Sequence, residues 1–223
     1  MEIKSSIYLL FGNISAYGII IPLCISIFRF KHLNFSEKFI FLLFLLGTLT
    51  ELSSEIYVAF VKQNNLYLLN TYQIIETIVI TLFFLSLTQN KIKKTMLLLF
   101  IISFMAIGIY HFVLNGNKTL SNLSLTIESL AIISFVLLSF HSIFKKEIYT
   151  NLLAAPLFWF NSGFLLYFAG NIYLHLFSQY LIAHAQYAFF ELWGLWHSLF
   201  NIIFFILISI GLWKTRKSLI LNY

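Results

Sequence analysis

Seven apolar stretches alternate with short polar gaps along the chain, at 6–28, 39–60, 66–88, 95–114, 123–144, 151–175 and 190–213. Each comes near the ~20 residues that a helix needs to cross ~30 Å of hydrocarbon. The pattern predicts an all-α, polytopic membrane protein: one seven-transmembrane helix bundle occupying 1–223 as a single domain. Most gaps are short, so sequential helices are expected to be antiparallel neighbours. One stretch between spans differs. Phe177 to Phe189 reads FSQYLIAHAQYAF, with no Lys, Arg, Asp or Glu, and is expected to form an interfacial helix or lid with Tyr180 and Tyr187 at headgroup level. Pro156 falls in the first turns of span six, where it is tolerated, whereas Pro22 lies deeper in span one and predicts a kink there.

The basic residues set an orientation. Of the 14 Lys and Arg, 11 follow spans one, three, five and seven, from Arg29, Lys31 and Lys38 to Lys214, Arg216 and Lys217, and only Lys4, Lys62 and Lys118 lie on the other side. Basic loops stay cytoplasmic, which predicts an N-terminus outside, a C-terminus inside and residence in the cytoplasmic (inner) membrane. Composition agrees: 60% hydrophobic residues, 10% charged residues and a mean hydropathy of +0.90 leave no room for a soluble domain. The net charge of +6 sits beside span ends, where it meets lipid headgroups, so the bilayer and not nucleic acid is the expected partner. A single cysteine, Cys24, permits no intrachain disulfide. Span one lacks a small-x-small cleavage site and is expected to remain in the mature protein.

Chemistry enters with the polar residues inside the spans. There is no Asp, and four of the eight Glu fall within spans: Glu51 and Glu55 on span two, Glu76 on span three, Glu128 on span five. At about 1.5 Å per residue from the outer ends, Glu55 and Glu128 lie about 7 to 8 Å deep and Glu51 and Glu76 about 14 to 15 Å, all in the outer half. Tyr72, Asn171, His197 and Asn201 fall there too. They share helix faces: Glu51 with Glu55, Tyr167 with Asn171 and His175, Ser121 and Ser124 with Glu128, and Glu191, Gly194, His197 and Asn201 at 3, 3, 4 spacing. Such stripes predict an outward-opening polar pocket containing Glu51, Glu55, Tyr72, Glu76, Glu128, Asn161, Tyr167, Asn171, His197 and Asn201. The same residues could instead only bond helix to helix, at roughly 0.6 kcal/mol each. No Lys or Arg lies within a span, so the carboxyls must be balanced by His111, His175 or His197, by protons, or by a bound metal or ligand. The aromatics are read as lipid-facing or packing residues, with Trp193 and Trp196 as candidate pocket walls.

Three resemblances follow from these residues. Seven helices with an outer N-terminus resemble microbial rhodopsins, but span seven has no lysine before Lys214, which excludes covalently held retinal. ELSSEIY on span two, Glu76 on span three and WHSLFN on span seven are similar to the alkaline-ceramidase and progestin-receptor-like intramembrane metal hydrolases. That family carries an Asp on span three and an H-x-x-x-H pair on span seven, where this chain has no Asp anywhere and pairs His197 with Asn201. The widest resemblance rests on NNLYLLNTYQIIETIVITLFF at 64–84, FWFNSGFLLYFAGNIY at 158–173 and LWGLWHSLFNIIFFILISIGLW at 192–213. These look like a family of bacterial seven-helix proteins often encoded beside sensor histidine kinases, with Asn70, Tyr72, Glu76, Trp159, Asn161, Tyr167, His197 and Asn201 as the matching motif residues. The resemblance implies a sensory or accessory role.

The expectation is therefore a receptor-like membrane subunit. A small ligand, ion or lipid headgroup would bind the pocket, and output would pass to a separate partner such as a histidine kinase, because the tail from Lys214 to Tyr223 is too short for a catalytic domain. No cofactor and no resident metal is expected, since the His set of a zinc site is incomplete. The alternatives are a metal-dependent intramembrane lipid hydrolase and a proton- or cation-coupled transporter.

Overall fold

A computed structural model describes residues 2–62, 65–115, 121–145 and 151–215. Lys118, Lys146, Arg216 and Lys217, which contribute to the charge split, lie outside the described residues. The chain is all-helical, with no strand among the described residues. In order come α1 (Glu2–Gly18), α2 (Ile20–Phe28), α3 (Glu37–Val61), α4 (Leu66–Leu87), α5 (Lys91–Asn115), α6 (Asn122–Lys145), α7 (Pro156–His184), α8 (Gln186–Leu192) and α9 (Ser198–Lys214).

Among the described residues, six segments are long and apolar enough to cross a membrane: Ile7–Phe28, Glu37–Val61, Leu66–Leu87, Lys91–Val113, Asn122–Lys145 and Gln186–Lys214. They mark a multi-pass membrane protein. The segment expected to be span six is the exception, since α7 at 29 residues is the longest helix but carries Asn161, Asn171, His175 and Ser178. All four are buried, because α7 is packed between α6 and α9. Its lower hydropathy is thus the mark of an interior helix.

Local signals explain most boundaries. Asn34 and Glu37 cap α3 reciprocally: Glu37 N donates to Asn34 Oδ1 and Asn34 N donates to Glu37 Oε2, both at 2.9 Å. Asn90 Oδ1 accepts from the backbone N–H groups of Ile92 and Lys93 at the start of α5. Pro156 occupies the first turn of α7, where its missing N–H is harmless. The kink expected from Pro22 appears four residues upstream, between α1 and α2, where Pro22 offers no N–H to the Gly18 carbonyl.

The expected lid over 177–189 is corrected. α7 runs unbroken through this stretch to His184, only Ala185 (φ −147°, ψ 51°) interrupts it, and α8 leads into α9. An uncharged segment without Gly or Pro contains nothing to stop a helix, so its aromatics, including the exposed Tyr180 and Tyr187, decorate the ends of two long helices.

Packing closes a ring. α2 lies on α3, α3 on α4, α4 on α6, α6 on α7, α7 on α9, and α9 back on α1 and α2, with α5 held outside against α4. The α7–α9 contact is close because Gly163, Gly170 and Gly211 admit the side chains of Phe204, Phe200 and Phe160. The solvent-facing logic of a soluble protein is inverted: Phe28 and Phe60 are more than 80% exposed, while Asn161 and Asn171 are fully buried. Lipid tolerates the former, and only the ring interior can satisfy the latter. Across the middle of that interior lies a phenyl layer, Phe44 on Phe204 at 5.7 Å, Phe204 on Phe164 at 5.5 Å and Phe164 on Phe83 at 6.0 Å.

Candidate functional site

Above this layer, on the side away from Arg29, Lys38, Lys93 and Lys214, the ring encloses a cavity of about 230 Å³. α3 supplies Glu51 from its last turns, α4 supplies Asn70, Tyr72, Gln73 and Glu76 from its first, and α6 supplies Glu128. α7 supplies Tyr167 and His175, and the α8–α9 helix supplies Trp193, His197 and Asn201. Helix direction accounts for the convergence, since each of these residues sits toward the same end of its helix.

Seven of the ten residues singled out from sequence line this one cavity: Glu51, Tyr72, Glu76, Glu128, Tyr167, His197 and Asn201. Three do not. Glu55 is exposed one turn beyond Glu51, beside the hydroxyl of Tyr17. Asn161 lies six residues from Tyr167 toward the basic end, about 9 Å along the helix, and its amide donates to Ser139 Oγ at 2.8 Å. Asn171 is buried but turned back on its own helix, donating to the Tyr167 carbonyl at 2.9 Å, so it braces the cavity wall without lining it. His111, on the peripheral α5, is also outside the lining.

The hydrogen-bond geometry gives individual groups distinct parts. Thr77 Oγ1 lies 2.6 Å from Glu128 Oε1 and 2.9 Å from the Gln73 carbonyl. A hydroxyl has one hydrogen, so both contacts are bonds only when the Glu128 carboxyl itself donates to Thr77. Ser129 Oγ likewise lies 2.8 Å from the Leu125 carbonyl and 2.8 Å from His175 Nδ1. If its hydrogen serves the carbonyl, His175 donates from Nδ1 and carries its acceptor lone pair on Nε2. Asn201 is steadied by donating to Ser15 Oγ at 2.8 Å.

His197 is placed by a feature the sequence stripes did not show. Trp193–His197 is a single π turn between α8 and α9. The widened turn divides the Glu191–Gly194–His197–Asn201 stripe. Glu191 accepts from the Tyr8 hydroxyl at 2.9 Å and Gly194 lies against Tyr8 Cβ, both on α1, while His197 and Asn201 face the cavity. The His197 ring stacks on Trp193 with centroids 4.3 Å apart and meets Tyr167 edge-on at 5.8 Å, and its buried Nδ1 has no hydrogen-bond partner. π turns of this kind recur at functional sites. Trp193 is thus a wall, as considered from sequence, whereas Trp196 is exposed and donates to the Gly170 carbonyl.

Gln73 and Thr50 are lining residues that the sequence reading missed. For Gln73 a signal existed: Asn70, Gln73 and Glu76 recur every three residues along α4. The lining holds three carboxyls, two imidazoles, two phenols and an indole, but no Lys or Arg. Among the described residues, no three His, Cys, Asp or Glu side chains are grouped so that they could hold a metal ion. No protein-family model, curated protein or solved structure matches this chain.

Proposed function

We propose that this protein is a receptor-like subunit of a bacterial cytoplasmic membrane whose cavity binds a small ammonium-type cation and passes the occupancy to a separate signalling partner such as a histidine kinase. One observation carries the reading: residues from five helices converge on a cavity holding Glu51, Glu76 and Glu128, with His175 and His197 beside them but no Lys or Arg in its lining. Carboxyls gathered away from water call for a proton or a cation. Tyr72, Tyr167 and Trp193 add aromatic faces, which attract ammonium groups. In this reading α7 is the seventh span, as its 29 residues, about 44 Å of helix, and its packing along α6 and α9 support. The N-terminus is outside and the cavity opens outward, in keeping with Arg29, Lys31, Lys38, Lys91, Lys93, Lys94, Lys145 and Lys214 at the opposite end. The phenyl layer favours a receptor over a transporter, because a conducting path would have to cross it.

The test is thermal unfolding of purified protein in sodium, potassium, ammonium or tetramethylammonium chloride, with ionic strength balanced by bulky N-methylglucamine. A ligand at 100 times its Kd stabilises by about 2.7 kcal/mol. Ammonium or tetramethylammonium is expected to raise the Tm of wild type more than sodium or potassium does, and to have a much smaller effect on Glu76→Gln. The reading fails if no cation moves the wild type, or if the variant responds equally. Reporter insertions at 29–36 and 62–65 test the orientation: alkaline phosphatase should be active only in the second.

A further inference from the structure

The larger cavity lies at the other end of the bundle. A groove of about 530 Å³ runs between the end of α4, the start of α5, the last turns of α6 and the start of α7. Its size falls within the roughly 300–1,000 Å³ of ligand sites. Its walls are apolar, from Phe84, Leu97, Phe135 and Leu157, and its rim is polar, from Gln89, Asn90 and Lys93. Lys93 is exposed, with Lys91 and Lys94 on the same first turn of α5, and the amino end of that 25-residue helix adds its own positive potential. The groove exists because α5 packs on α4 and barely touches α6 along its length, leaving a gap that Ser139 and Ser142 are too small to fill.

We propose that this groove is a binding site for one anionic phospholipid, an acyl chain lying along the phenyl and leucine walls and the phosphate held by Lys93 at the rim. A free phosphate would have no use for the apolar walls; a zwitterionic phospholipid also carries a phosphate, but its own ammonium group offsets the attraction of Lys91, Lys93 and Lys94, so the apolar walls and the basic rim together favour an amphiphile of net negative charge. The site is independent of the cation cavity, from which the phenyl layer separates it.

Delipidated full-length protein would be titrated with dioleoylphosphatidylglycerol and, separately, dioleoylphosphatidylcholine, with bound lipid counted by native mass spectrometry. The first phosphatidylglycerol should bind about fivefold more tightly than phosphatidylcholine, as one well-placed lysine near a bilayer surface warrants. Lys93→Gln should erase that preference, and Ser142→Phe, which fills the groove, should abolish the tight site for both lipids. Lys31→Gln, an exposed charge at the same end but remote from the groove, should change nothing. Equal affinity for the two lipids overturns the proposal. So does a preference that survives Lys93→Gln, or one that Lys31→Gln weakens as much, which would mark diffuse surface charge. Because Lys93 is exposed, its variant is expected to fold, and a melting curve checks this.

Discussion

If Glu128 is kept for binding and not for stability, Thr77 and Glu128 should respond asymmetrically to replacement. Thr77→Val removes the hydroxyl 2.6 Å from Glu128 Oε1 and leaves a carboxyl that is 2% exposed without that partner. Glu128→Leu leaves Thr77 satisfied, because its hydroxyl still reaches the Gln73 carbonyl at 2.9 Å. Stranding a buried polar group costs about 1–3 kcal/mol, while side-chain hydrogen bonds in a helical membrane protein average about 0.6 and reach about 1.7 kcal/mol in double-mutant cycles. The short contact and deep burial place this pair toward the top of that range. Thr77→Val should therefore cost about 1.5 kcal/mol in wild type and close to nothing in the Glu128→Leu background. Glu128→Leu alone should be neutral or mildly stabilising, since replacing a buried ionisable group by an apolar one of similar volume often is. The assay is reversible unfolding of the four proteins in bicelles, supported by the cation melts. Additivity within about 0.3–0.5 kcal/mol would refute the coupling, and a Glu128→Leu protein that fails to fold would make Glu128 structural.

Close packing makes a second contrast. A Cβ at Gly211 would lie 2.5 Å from the Phe160 ring and one at Gly170 2.5 Å from the Phe200 ring, so alanine at either should cost about 1–3 kcal/mol, whereas Gly12→Ala meets nothing within 4 Å and should be neutral or gain up to about 1 kcal/mol of helix propensity. Equal effects in the same unfolding assay would mean that α7 and α9 are not packed this closely. Deleting Leu195 converts the π turn to α-helical register, so either Glu191 leaves Tyr8 or His197 leaves the cavity; the protein should fold but lose its cation response, and an unchanged response would show the π turn to be incidental.

What the sequence made legible was set by how local the physics is. Composition predicts seven apolar stretches, six of which are long and apolar enough to cross a membrane among the described residues, and depth and face point to the seven cavity residues, because away from its ends a span offers a polar side chain only the interior, whereas Glu55, nearer the end of α3, is exposed. Asn161 misled because it was placed by motif and not by depth: five residues into α7 it is on the basic side of the phenyl layer. Asn171 differs because its amide turns back to donate to a carbonyl on the preceding turn of its own helix, which no spacing argument reveals. The π turn left no trace in periodicity, since an extra residue in one turn looks like ordinary slippage of a stripe. The uncharged, aromatic-rich 177–189 stretch predicts an interfacial helix or lid, but nothing in it ends a helix before His184, so α7 runs on through it and the chain leaves helical geometry only at Ala185 (φ −147°, ψ 51°).

The placement of the cavity on the α7–α9 seam bears on how occupancy could leave it. Tyr167 on one side, and His197 and Phe204 on the other, line the cavity and also join these two helices. Below it the same pair continues through Gly163 and Gly211 to the basic end, where the Arg29 side chain donates to the Thr215 carbonyl and lies over Trp213. Rings seated directly on glycine backbone leave little room for small accommodations, so a ligand that draws His197 and Tyr167 together would be expected to move α9 as a body against α7. The displacement would then surface beside Arg29 and Lys214, at the end of the bundle where the proposed partner would read it, without any ion crossing the phenyl layer.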